Sequence, residues 1–163
     1  MKKVVGLNGR SNCGKSRTLY LLGKCLIEKG YSINRGYSIK NKKEMLTKDF
    51  FSDNPRKNDG ESCDFRAVFS FENQTVGIAT QGDHPSEIRE SIKFFKNDPV
   101  CDFVFSASRP NKEMKKLLEK FQELIDNKEN LEWEMQQPVD QVNKELMDSR
   151  NSQMIQKLFG MIE

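Results

Sequence analysis

The chain has 163 residues, 36% hydrophobic and 31% charged, with 27 basic against 24 acidic side chains and a net charge of +3. That length suits a single domain over residues 1–163 with a core that needs no metal or disulfide staples, and the composition lies away from the polar, highly charged corner where chains stay disordered. The near balance of charge gives no clear nucleic-acid signal and no case for a membrane-surface binder.

In chain order, the apolar run KVVGL at residues 3–7, closed by Asn8-Gly9, predicts a strand buried on both faces. Leu19, Leu22, Leu26 and Ile27 then recur at helical spacing up to Gly30, which predicts a helix from about residue 14 with a glycine stop. From residue 31 to 65 the periodicity breaks down. GYSI occurs at 30–33 and again at 36–39, the basic stretch 40–43 follows, and DNPRKNDGES at 53–62 reads as a surface loop. An irregular lid or partner-facing segment is expected there.

FRAVFSF at 65–71 and TVGIAT at 75–80, separated by Glu72-Asn73-Gln74, predict a β-hairpin. Ile88, Ile92 and Phe95 share one helical face over residues 86–96, with Asp83 or Ser86 available as N-cap. A strand over 102–107, a helix over about 112–126, a strand over 131–136 and a last helix over about 139–162 complete the chain. This alternation predicts an α/β fold: an open three-layer α/β/α domain with a mostly parallel sheet and an inserted hairpin.

Four cysteines, Cys13, Cys25, Cys63 and Cys101, form no CxxC pair and accompany a single histidine. Reduced thiols and a cytoplasmic location are expected, with neither a structural zinc nor a disulfide framework. No stretch approaches the ~20 apolar residues of a membrane helix, and the apolar run at the start is too short for a signal peptide.

The chemistry concentrates in Gly9-Arg10-Ser11-Asn12-Cys13-Gly14-Lys15-Ser16, which matches G-x-x-x-x-G-K-[ST] at every fixed position, between a predicted strand and a predicted helix. Polyphosphate must be met by many donors at short range. Glycines let successive N–H groups turn inward, and the following helix, with Arg17 in its first turn, offers its positive end. Lys15 supplies an ammonium for the β- and γ-phosphates, and the Ser16 hydroxyl suits Mg²⁺.

On these residues the N-terminal third resembles the P-loop NTPase superfamily, with residues 9–16 as its Walker A motif. The resemblance is specific for the first ~30 residues and architectural beyond them. It implies a central parallel sheet and binding of a nucleoside triphosphate with Mg²⁺.

It also implies a second metal-side carboxylate at the end of a buried strand. TVGIATQGD at 75–83 offers Asp83, with Gly82 permitting close approach to phosphate; the competing role for Asp83 is a helix cap. Asp102 is the weaker rival because it starts its strand. His84 reads as a surface residue at a helix start or as a catalytic group, and Gln81 could orient a water. Arg109, just past a strand, would meet transition-state charge or solvent.

Guanine selection by N-K-x-D is incomplete, because Asn111 and Lys112 are followed by Glu113 and Met114. ATP is therefore favoured over GTP. Two functions are carried forward. One is phosphoryl transfer from ATP to water or a small-molecule acceptor, with Lys15, Asp83 and Arg109 as the catalytic set and Arg35, Lys40, Lys42, Arg56 and Lys57 near the acceptor. The alternative is a regulatory module whose ATP occupancy is sensed by a partner protein with little turnover.

Overall fold

The structure, a computed structural model, describes residues 3–8, 15–38, 48–51, 64–82, 84–96, 101–109, 115, 116, 119, 131–135 and 144–162. For residues 15, 96, 131–135 and 144–151 only the backbone is described.

Strand β1 (Lys3–Asn8) is buried from Val4 onward. Helix α1 (Lys15–Glu28) follows and buries Leu19, Leu22 and Leu26 completely, the face its spacing announced. It stops as the sequence predicts. The Tyr31 N–H donates to the Leu26 carbonyl and the Gly30 N–H to the Ile27 carbonyl, both at 3.0 Å. Gly30 takes φ 100°, a conformation open to a residue without a Cβ.

The segment read as irregular contains two elements. Residues Ser32–Ser38 form strand β2, whose ladder with the next strand shifts between Ile33 and Arg35. That bulge interrupts the two-residue alternation by which a strand is recognised. Residues Lys48–Phe51 form one 3₁₀ turn that buries Phe51. Phe50 and Phe51 join Tyr20, Phe65 and Phe69 in ring contacts at centroid distances of 5.0–5.7 Å, and the Tyr20 hydroxyl donates to the Phe50 carbonyl at 2.8 Å. Residues 39–47 and 52–63, with Lys40, Lys42, Arg56 and Lys57, lie outside the described residues.

β3 (Phe65–Phe71) and β4 (Gln74–Ala79) make the expected hairpin, turning through Glu72 and Asn73. Then come α2 (Pro85–Lys96), β5 (Phe103–Ser108), β6 (Leu131–Met135) and α3 (Lys144–Ile162). Of the helix expected over 112–126, residues 115, 116 and 119 are described, and they are helical.

The α/β class holds, and the sheet is mixed where a mostly parallel one was expected. Its order is β2-β3-β4-β5-β1-β6. β5 pairs in parallel with β4 and β1, and β1 with β6, whereas β2–β3 and β3–β4 are antiparallel. The hairpin accounts for one antiparallel ladder and the unforeseen β2 for the other. Because successive side chains leave opposite faces, Val5 and Leu7 pack with α1, α3 and Phe51, while Val4 packs with Ile88 and Phe95 of α2.

Candidate functional site at the strand ends

The parallel strands β4, β5, β1 and β6 end at one edge of the sheet, and antiparallel β3 starts there. Buried polar groups gather at this edge. Asn8 ends β1 and Ser108 ends β5 as register partners, and the buried Ser108 hydroxyl donates to the Asn8 side-chain oxygen. The chain runs directly from Asn8 into the glycine motif.

Gly9, Arg10, Ser11, Asn12, Cys13 and Gly14 lie outside the described residues, as does Asp83, and Lys15 is described as the first residue of α1. Ser16 and Arg17 are partly buried in the first turn of that helix. The Ser16 hydroxyl donates to the carbonyl of Thr80, just past β4, at 3.2 Å. This contact joins the start of α1 to the segment that leads, three residues on, to Asp83.

A hydroxyl that spends its proton on a carbonyl keeps its oxygen lone pairs for a further partner, so Ser16 suits a cation such as Mg²⁺. Among the described residues no group of three or more His, Cys, Asp or Glu side chains could hold a metal ion. A site built on Ser16 and Asp83 would take its remaining oxygens from phosphate and water, the usual manner of Mg²⁺.

Thr80 itself is locked. Its hydroxyl accepts from the Phe65 N–H at 2.9 Å and donates to the Asp64 carboxylate at 2.9 Å, and its N–H donates to the Phe65 carbonyl at 3.1 Å. Gln81 follows, partly buried, and then Gly82 lies buried against the end of β5. The segment thus meets the end of β5, which lies between β4 and β1. Arg109, partly buried, leaves β5 between those two neighbours.

Behind this edge, the buried Arg66 of β3 donates through Nε to the Ser91 hydroxyl at 3.0 Å, and Ser91 donates to the Glu87 carbonyl at 3.0 Å. Burial pushes the Arg66 guanidinium below its usual value, against the opposing pull of Glu90, Tyr37, Glu87 and Asp64. α2 is thereby anchored just after its start. Ser86 lies inside the helix and is not its cap. His84 holds the cap position, its carbonyl accepting from the Glu87 N–H at 3.0 Å and its N–H donating to the Glu87 carboxylate at 3.1 Å, with Pro85 as first helical residue. The exposed His84 serves the helix start through its backbone.

Asp102 stands at the opposite edge. Its carboxylate accepts from the Thr75 N–H at 2.9 Å and from the Thr75 hydroxyl at 3.2 Å, which ties the start of β5 to the start of β4. A cavity of about 550 Å³ lies at that edge, lined by Tyr31, Phe71, Glu72 and Asp102 among others. Arg35 stacks on Phe94 at 4.0 Å from the ring centroid.

Sequence reasoning passed over Asn8, Thr80, Ser108 and Asp64. Small polar residues at strand ends are common, and only the sheet order brings these four to one edge. Among the described residues no helix is long and apolar enough to cross a membrane. Comparison of the chain with protein-family models, with curated proteins and with solved structures finds no match in any of the three.

Proposed function

We propose that the chain adopts a P-loop NTPase-like fold, binds ATP with Mg²⁺ through residues 9–16, and transfers a phosphoryl group to water or to a small acceptor. The Ser16–Thr80 hydrogen bond carries this reading, because it ties the serine of the glycine motif to the strand end that precedes Asp83. A glycine turn with an incidental Lys-Ser gives no reason for the serine to stand at that strand end.

In this reading the backbone of residues 9–14 and the Lys15 ammonium hold the phosphates, and Ser16 and Asp83 hold the cation. Mg²⁺, when bound, neutralises charge on the phosphate oxygens. Arg109, carried on the strand between β1 and β4, meets charge that grows in the transition state. Gln81 and Gly82 bring backbone close to the same place. The incomplete N-K-x-D pattern at 111–114 favours adenine over guanine.

The catalytic half of the proposal is tested by phosphate release from ATP, and by transfer to added nucleoside monophosphates, with purified wild type and Arg109→Ala. Mg²⁺-dependent turnover lowered at least about tenfold in the variant supports it. Tight ATP binding without turnover or transfer contradicts it and favours a regulatory module that senses ATP.

A further inference from the structure

Asp64 is a carboxylate that the fold brings to the Ser16 edge without any signal in the sequence. It stands immediately before β3, which among the described strands alone starts at this edge. Its Oδ1 accepts the Thr80 hydroxyl at 2.9 Å, and the carbonyl of the same Thr80 accepts the Ser16 hydroxyl at 3.2 Å. Thr80 is 1% exposed, so water does not substitute readily for either partner.

We infer that Asp64 is a positioning residue for the Ser16 hydroxyl, acting through Thr80; the inference rests on the reading of Ser16 as a ligand of nucleotide-bound Mg²⁺. The Thr80 hydroxyl has two acceptors in reach, Asp64 at 2.9 Å and the Phe65 carbonyl at 3.3 Å. Asp64 takes the proton at the shorter distance, as a charged acceptor does. The Thr80 side chain then holds one rotamer, pinned by the Phe65 N–H on one side and Asp64 on the other. Its carbonyl is thereby fixed toward α1, and Ser16 directs its proton there. Without Asp64 the hydroxyl turns to the Phe65 carbonyl, and Thr80 keeps its ties to Phe65 but loses the charged acceptor that selects its rotamer. Groups that orient a metal ligand in this indirect manner matter to metal affinity about 10- to 100-fold.

The test measures ATP affinity by calorimetry in excess MgCl₂ and again in EDTA, taking the ratio as the gain due to the cation. Wild type is compared with Asp64→Ala, Asp64→Asn, Thr80→Val and Thr80→Ser. Asp64→Ala and Thr80→Val are expected to cut the gain about tenfold with affinity in EDTA little changed. Asp64→Asn keeps an acceptor oxygen and Thr80→Ser keeps the hydroxyl, so both hold the gain within about twofold. A merely structural role lowers both affinities together and leaves the ratio intact, which overturns the inference. A loss in Asp64→Asn equal to that in Asp64→Ala also overturns it, because the charge and not the bond to Thr80 then matters. Wild type that binds ATP with no gain from Mg²⁺ removes the metal reading of Ser16 and the inference with it. A wild-type gain unchanged in Asp64→Ala and Thr80→Val removes the inference alone.

Discussion

Gly82 and Ala107 approach so closely that a Cβ on residue 82 would stand 1.7 Å from the Ala107 carbonyl oxygen and 2.9 Å from the Ser108 nitrogen. Both obstacles are backbone of a central strand, which cannot turn aside as a side chain can. The contact fixes the path of the segment after β4 across the end of β5.

Gly82→Ala is therefore expected to destabilise the fold by about 3 kcal/mol or more, since overpacking against backbone exceeds the usual range. Gly77→Ala is the control: its Cβ would meet the edge of the Phe95 ring at 2.6 Å, a side chain that can shift, and about 1–2 kcal/mol is expected. Urea denaturation of the two variants checks the order. Equal losses would mean that the segment after Thr80 yields.

The two carboxylates weighed from sequence should separate cleanly. Asp102→Ala leaves the Thr75 N–H and hydroxyl short of their acceptor at the far edge of the sheet. A loss of about 1–3 kcal/mol in stability is expected, with ATP affinity unchanged. An Asp102→Ala variant of normal stability and weakened ATP binding would contradict this placement.

Asp83→Asn tests the other carboxylate. Asparagine caps a helix as well as aspartate does, so the substitution removes the charge and spares any cap, and the gain in ATP affinity from Mg²⁺ should fall about tenfold. A metal titration in which the two proteins respond alike would take Asp83 out of the metal site.

What the sequence made legible follows from where each element lies. Leu19, Leu22 and Leu26 declared α1, and the runs over β1, β3 and β5 declared strands, because burial imposes a repeating apolar pattern. β2 escaped because it is an edge strand with a bulge between Ile33 and Arg35, and its exposed Ser32, Asn34 and Arg35 look like loop. The doublet Phe50-Phe51, set among polar residues, was the one visible sign that the segment returns to the core. Lys15 and Ser16 stood out as candidates because the motif that carries them is local in sequence. Thr80 and Asp64 did not, since 64 residues separate Thr80 from Ser16 and only the sheet order unites them.

Cys25 offers a check on the packing of α1. Burial first, and Glu28 next, push its thiol above the ordinary value, with Lys29 pulling the other way. At pH 8 its alkylation should be slower than that of an unhindered thiol and should rise as pH passes the usual thiol range. The sign for stability follows. A folded thiol that ionises later than the unfolded one contributes stability that is lost as pH rises above about 9. Mass-resolved alkylation across pH 7–10 checks it, and Cys25 reacting at the rate of a free thiol contradicts it.

Whether residues 9–16 bind the triphosphate is decided by calorimetry of ATP in MgCl₂ with wild type and Lys15→Ala. Removal of the lysine ammonium should forfeit a charge-assisted contact and weaken binding about 10- to 100-fold, with the fold intact by circular dichroism. Equal affinity in the two proteins, or no binding by wild type, would contradict the account.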